Sequence, residues 1–547
     1  MLTAPAVPHS RLLIVGGAIL VLAAVKLFVA GSIGLSFDES YYTFWSENLA
    51  IGYLDHPPMV AYLIAAGRAI FGDDPFGVRF FAVACGLLTT GLVYRLGMLL
   101  ADRATAVLAA LLYAATPASG LVFLMTPDPP SALFFAATLW AVAEWLASGR
   151  RWWWLIAGAM AGLGLWSKYT DAFLAPGLLL FLLASRERRG ALASWPVWAG
   201  AALALIVFLP VILWNGEHGW ASFTFQGQRT VTSGLDPNWA GNLLDLLGGQ
   251  ALYQVPVLVL LALAGLVTFF VRRGAEEWRG LSLPVWASLP ALLYFAFHAF
   301  HAHVEANWLI PLWPSLTLAG AMAVVALWQR RPRLTGWLVG AQFAIGAALT
   351  AAIYVQALWQ PFDVGDLDRT NETRGWAKLV DDLGRLAEAN GAHWIATSSN
   401  FGTTGELASY SLFANSPLPV RQIDEPLLQP IYDLVSPRMA FGRVALIGDA
   451  AFVARPHVAS GVMKAALDAE SLADALSGAG GDVAAALSRY NADRQPYGAW
   501  LVERGRHIGA SIASRDMEPG LRSETIMREY GAAGLVDEQA MAARVGN

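Results

Sequence analysis

Leu12-Leu13-Ile14-Val15-Gly16-Gly17-Ala18-Ile19-Leu20-Val21-Leu22-Ala23-Ala24-Val25-Lys26-Leu27-Phe28-Val29-Ala30-Gly31-Ser32-Ile33, and shortly after it Ser36-Phe37-Asp38-Glu39-Ser40-Tyr41-Tyr42, decide how this chain is read. The first stretch is apolar for long enough to cross a bilayer, which takes about twenty such residues. The second places a carboxylate pair just beyond it. Acidic residues there have a plain reading, the entry of a helix into water. They also have a chemical one, a catalytic carboxylate held at the membrane surface and facing a lipid-borne substrate. The rest of the chain favours the chemical reading.

Composition sets the class. Of 547 residues, 56% are hydrophobic and 14% charged, with a mean hydropathy of +0.48. Soluble domains carry about 25% charged residues, so the chain reads as a polytopic membrane protein. Its net charge of −5 is dispersed and argues against a nucleic-acid partner. The single cysteine, Cys85, excludes an internal disulfide and a cysteine-based zinc site. The first span lacks a small-residue cleavage site and reads as a retained anchor.

Apolar runs predict about eleven spans, at 11–33, 78–100, 105–124, 130–148, 153–167, 170–185, 196–214, 250–271, 281–298, 307–328 and 335–358. Arg150-Arg151, Arg186-Glu187-Arg188-Arg189, Arg272-Arg273 and Arg330-Arg331-Pro332-Arg333 fall in connections of one parity, with Asp102-Arg103. By the positive-inside rule those connections are cytoplasmic. The loop 34–77, the 125–129 turn, the region of Lys168, the loops 215–249 and 299–306, and the tail from 359 are then external. In the first of these, Tyr41–Leu49 and Met59–Phe71 read as short helices lying along the membrane, divided by Asp55-His56-Pro57-Pro58.

Phe37-Asp38-Glu39-Ser40-Tyr41-Tyr42, Gly52-Tyr53-Leu54-Asp55-His56-Pro57-Pro58 and Thr126-Pro127-Asp128 occur in this order and on one predicted side. Together they resemble the membrane-embedded GT-C glycosyltransferases, in the branch of the lipid A aminoarabinose transferases and, more distantly, the protein O-mannosyltransferases. Gly164-Leu165-Trp166-Ser167-Lys168-Tyr169-Thr170 and Val304-Glu305-Ala306-Asn307-Trp308 fit the same branch. The resemblance covers about 10–415. It implies a GT-C fold and transfer of a sugar from a polyprenyl-phosphate donor to an envelope lipid, glycan or protein acceptor outside the cytoplasmic membrane.

That chemistry assigns roles. Asp38 is the candidate base or acceptor-positioning group, with Glu39 orienting it or binding a sugar hydroxyl and Asp128 binding a sugar hydroxyl or a metal. Lys168, Arg79 and His56 are candidates for the donor phosphate. Asp55, Tyr41, Tyr42, Glu305 and Asn307 are candidate substrate contacts. Asp38, Asp128 and Lys168 are expected to converge on one external cavity. The residues imply no particular cofactor, and a divalent metal is left open, with His298, His301, His303 and Glu305 grouped near a span start. The alternative is a lipid or sugar transporter or flippase. It predicts charges inside several spans and internal repeats, whereas no repeat is seen and the acidic groups gather at span ends.

The tail changes character at 359. Residues 359–424 are expected to form a small external α/β domain, with a helix over Trp376–Ala389 and a strand over His393–Thr397. From 425 to 547 a second likeness takes over. Gly442-Arg443-Val444-Ala445-Leu446-Ile447-Gly448-Asp449, Arg455-Pro456-His457 and Gly461 resemble the C-terminal part of flavin-dependent aromatic hydroxylases. The resemblance implies that Asp449 and the stretch Pro456–Gly461 are the flavin-facing positions. A flavin enzyme also needs a Gly-x-Gly-x-x-Gly turn for the pyrophosphate, and none occurs in the chain. FAD binding, and with it a monooxygenase activity, is therefore not expected. A remnant cut from its parent fold is expected to pack poorly.

Overall fold

The computed structural model describes residues 9–230, 234–272, 275–363, 365, 368–389, 401–413, 433–453 and 461–513. It divides into two compact units, Met1–Ile423 and Asp424–Asn547.

The first unit is helical. Its helices are α1 (His9–Ser32), α2 (Phe37–Glu47), α3 (Met59–Phe71), α4 (Pro75–Leu100), α5 (Arg103–Ala114), α6 (Pro117–Leu121), α7 (Asp128–Ser148), α8 (Trp153–Ser167), α9 (Leu174–Leu183), α10 (Arg186–Arg189), α11 (Trp195–Glu217), α12 (Ala221–Thr230), α13 (Trp239–Gln254), α14 (Pro256–Arg272), α15 (Ser282–His298), α16 (Trp313–Arg330), α17 (Pro332–Trp359), α18 (Trp376–Ala389) and α19 (Phe401–Phe413). The fold is thus the expected α-helical polytopic one.

Each of the eleven expected spans is helical, though not all as one long helix. Among the described residues, seven helices are long and apolar enough to cross a membrane, and the pair α13 and α14, bent by 107°, makes up to eight. Two predicted spans became shorter helices, and a third, 153–167, has its expected bounds but is itself only 15 residues long. The run 105–124 is cut at Thr116-Pro117, where the proline disfavours a helical residue before it. Thr116 instead caps α6 by accepting from the Ser119 N–H at 3.1 Å. The runs 153–167 and 170–185 are separated by Lys168, whose backbone is extended.

The predicted span 250–271 is broken as well. Pro256 has no N–H to continue α13, and Val255 takes a positive φ of 68°. The backbone groups freed at the break are recovered by Gln342 of α17. Its amide oxygen accepts from Leu258 N–H at 2.9 Å, and its amide nitrogen donates to the Gln254 carbonyl at 3.0 Å. In an apolar surrounding such partners are obligatory.

The core lies among α4, α5, α7, α9, α14, α15 and α16, where Val93, Leu112, Leu139, Phe181, Leu258, Ala287 and Leu318 are almost wholly inaccessible. By contrast α1 and α17 keep most of their apolar surface on the outside, as lipid-facing helices do.

The loop 34–77 contributes α2 and α3. The first starts four residues before the expected Tyr41, because Ser36 begins a capping box with Glu39. The second matches its expected bounds. A stacked pair, Trp45 on Tyr53 at 4.1 Å, holds the connection between them. Helix α18 also has its expected bounds, while the strand expected at 393–397 lies outside the described residues. The segment 359–424 does not separate from the spans as a unit of its own, and α19 packs along α2.

The second unit has β1 (Leu434–Val435) paired antiparallel with β4 (Phe452–Val453), and β2 (Ala440–Phe441) with β3 (Val444–Ala445). Helices α20 (Gly461–Gly478) and α21 (Val483–Ala513) follow. The expected poor packing is not observed in its described part. Met439, Phe452, Tyr490 and Val502 are fully buried together. Asp449 sits in a short 3-10 turn and is exposed, Gly461 begins α20, and Pro456 lies outside the described residues.

Candidate active site around the first loop

Asp38 and Glu39 are neighbours in sequence and opposites in structure. Both lie in the first turn of α2, where the unpaired N–H groups favour carboxylates. Successive helical residues point about 100° apart, so one faces inward and the other away. Glu39 is completely buried. Its Oε1 accepts from Arg79 Nε at 2.7 Å and from the Met125 N–H at 2.9 Å. Its Oε2 accepts from Arg79 Nη2 at 2.6 Å and from the Ser36 N–H at 3.0 Å.

Arg79 is equally buried and equally committed. Its two remaining groups of donors reach the carbonyls of Ala30, Ile33 and Gly34 at 2.7–2.9 Å. A guanidinium has five N–H donors, and all five are used. This corrects two expectations. Arg79 has no donor left for a donor phosphate. Glu39 has no free lone pair with which to act on a sugar. Together they tie the end of α1, the start of α2, α4 and the 125 turn into one joint.

Asp38 stays accessible at its carboxylate. It is recessed all the same, among the carboxylates of Glu372, Glu39, Asp128 and Asp55. Partial desolvation, followed by these like charges, pushes its carboxyl up to about 6. Tyr42, fully packed, feels Asp38, Asp55 and Asp128 together. Its ring meets the His56 ring edge-on at 6.1 Å. The Tyr41 hydroxyl is hydrogen-bonded to Asp55, and burial holds both tyrosines neutral. Asp55 is anchored through its backbone, whose carbonyl accepts from Gln226 of α12 at 2.5 Å.

Asp128 opens α7 and is buried. Pro129 and Pro130 follow it in the first turn, where a missing N–H costs nothing. Its Oδ1 accepts from Lys168 Nζ at 2.5 Å and its Oδ2 from Asn307 Nδ2 at 2.8 Å. Lys168 is therefore no free cation awaiting an anion. It is half of a buried ion pair. Glu305 is exposed, and the His303 ring stands 3.6 Å from both Glu305 and Asp245. His298 is buried against Tyr294 and Trp308. Among the described residues, no three His, Cys, Asp or Glu side chains converge as a metal site.

The structure thus brings Asp128, Lys168 and Asn307 into contact. It sets Asp38, Asp55, Tyr41, Tyr42 and His56 in one neighbourhood, in which Asp38 and Tyr42 feel the charge of Asp128. Sequence reasoning missed Gln226, Glu372 and Asp171. Asp171 is buried and accepts from Ser131 Oγ at 2.9 Å, one turn along α7 from Asp128. A charge inside the predicted span 170–185 was a signal that could have found it. Gln226 and Glu372 carry no such signal.

Residues 55–214 match the family described as dolichyl-phosphate-mannose-protein mannosyltransferase. The lipid A galacturonosyltransferase RgtD of Rhizobium johnstonii is 25% identical over 468 residues, which cover 81% of this chain and 92% of that protein. The undecaprenyl phosphate-alpha-4-amino-4-deoxy-L-arabinose arabinosyl transferase of Pseudomonas paraeruginosa is 33% identical over 177 residues, 30% of each chain. The resemblance to membrane glycosyltransferases is borne out by these relatives. A further stretch of 70 residues is 44% identical to the phenazine 1,6-dicarboxylic acid hydroxylase PhzS of Lysobacter antibioticus, and spans 13% of this chain and 17% of that enzyme.

Proposed function

Taking the chain as a multi-pass membrane glycosyltransferase, we propose that it moves a sugar from a polyprenyl-phosphate donor to a hydroxyl or phosphate of an envelope acceptor, at the external face that bears loop 34–77. The observation that carries this reading is the contrast within one helical turn. Glu39 is consumed in a structural joint, while Asp38 is left accessible, raised to about 6, and ringed by other carboxylates and tyrosines.

In the reaction the acceptor oxygen bonds to the anomeric carbon of the sugar. The bond from that carbon to the phosphate oxygen breaks, and polyprenyl phosphate leaves with the bonding pair. For a hydroxyl acceptor the proton passes to Asp38. A base that titrates near 6 is ionised at neutral pH yet still basic enough to take it. The Lys168–Asp128 pair borders the site. It supplies a cation that a phosphate can share, and Asn307 holds the carboxylate in place. Asp55 and the tyrosines present hydrogen-bonding groups suited to sugar hydroxyls.

Two measurements test the proposal, using undecaprenyl-phosphate-linked galacturonic acid and 4-amino-4-deoxy-arabinose as donors and lipid A as acceptor. Asp38→Asn should lower transfer about 10²-fold or more at unchanged membrane insertion. In the wild type, kcat/KM should rise with pH through a limb near 6, since the ionised form is the active one. Near-normal turnover of Asp38→Asn overturns the assignment, as does a limb at the ordinary carboxylate value.

A further inference from the structure

Glu406, on α19, has a fully buried side chain, and neither of its carboxylate oxygens has a hydrogen-bond partner. The polar group that faces it is the Ser40 hydroxyl of α2, which is also fully buried and lacks any other partner. The Ser40 O–H can donate to an ionised Glu406 and favours that form. Among the described residues, however, no cation donates to the carboxylate, and its burial in the helix contact favours the neutral form more strongly.

The two helices are in close contact around this pair. Ser409 Oγ donates to the Ser40 carbonyl at 3.0 Å. The Leu35 N–H donates to the Tyr410 hydroxyl at 3.0 Å. At Gly405 an added Cβ would stand 2.8 Å from the Tyr41 backbone nitrogen, so the two helices touch through their main chains. The charged groups acting on Glu406 are Glu39 of α2, Arg79 of α4 and Glu372 of the 369–373 turn. Arg79 favours the carboxylate, but its donors are spent on Glu39 and three carbonyls. The two glutamates oppose the charge. Burial outweighs them all and pushes the Glu406 carboxyl up to about 9.

We propose that Glu406 is a positioning residue: carried neutral, it locks α19 onto α2 and thereby sets Asp38 and Tyr41 in the active site. The catalytic consequence rests on the transferase reading above; the lock itself does not. The sign of its pH dependence follows from linkage. The docked state holds the proton and the undocked state releases it near 4.5. Docking is therefore strongest at low pH and weakens about tenfold per pH unit until about 9.

The test uses the full-length protein in phospholipid nanodiscs. Hydrogen exchange of peptides covering 37–47 and 401–413, corrected for intrinsic rates, is compared at pH 6 and pH 8. The opening constant of the wild type should rise about 100-fold over this interval, and that of Glu406→Gln should stay flat. A flat wild type overturns the lock, as does an equal slope in the Gln variant. With the same two lipid-linked donors, Glu406→Ala should lose kcat at unchanged KM, and Glu406→Gln should restore it. Loss of turnover in the Gln variant at neutral pH also overturns the proposal. If the exchange behaves as expected while neither donor is turned over by the wild type, the lock stands and the transferase reading fails.

Discussion

Arg79 and Glu39 show how a single contact assigns roles that residue type cannot. An arginine near a span end and an acid beside Asp38 both suit a phosphate-sugar site. In the folded chain each uses up the other, and carbonyls take the rest. Removing one partner strands a buried charge, at a cost of about 3–5 kcal/mol. Arg79→Ala and Glu39→Gln should therefore lower the thermal midpoint in detergent and the yield of inserted protein. Arg79→Lys should not rescue, because an ammonium has three donors where the joint uses five. Stable, well-inserted Arg79→Ala protein with defective transfer alone would return Arg79 to the phosphate.

Among the elements, the break between α13 and α14 depends on a side chain from a distant helix. Gln342 closes both backbone groups that Pro256 leaves open, and it is fully buried while doing so. Gln342→Leu keeps the volume but removes the donor to the Gln254 carbonyl, while the Leu258 N–H keeps only its 3.1 Å contact with the Val255 carbonyl. An unsatisfied buried carbonyl costs about 1–3 kcal/mol, so the thermal midpoint should fall clearly. Equal stability of wild type and Gln342→Leu would show that the bend holds without it. The short helices α2, α3 and α19 belong to the same scale. Their apolar faces cover one another around Leu35, Tyr42, Trp45 and Ile64, which is what places Asp38 at an accessible edge.

For the whole molecule, the division at residue 423 separates a membrane unit that holds every residue assigned to the site from a unit with its own small core. Ending the chain after Ile423 should leave transfer largely unchanged and membrane insertion intact. The full-length protein should show no flavin absorbance near 450 nm, since Asp449 and the stretch Pro456–Gly461 come without a turn for the pyrophosphate. Stoichiometric FAD in the purified protein would reverse this expectation. So would loss of transfer by a truncated chain that still inserts.

Composition and apolar run length were enough to determine a polytopic helical protein, because a bilayer demands long apolar helices whatever their neighbours. The order of the Asp38, Asp55 and Asp128 motifs marked the candidate site, because each polar cluster interrupts an apolar run and stands out against it. The bounds of α3 and α18 were legible for a similar reason, in proline and amphipathic pattern. Other features needed tertiary contacts. Which of two adjacent acids is spent depended on Arg79, forty residues away. The partner of Lys168 is another forty residues back, at Asp128. Broken spans look continuous in hydropathy, since Thr116-Pro117 and Val255-Pro256 are themselves apolar enough to hide. Glu406 sits in a segment with no apolar run or motif to mark it. Its burial comes from α19 lying on α2, across more than 360 residues of chain, and only that contact turns an ordinary glutamate into a neutral one.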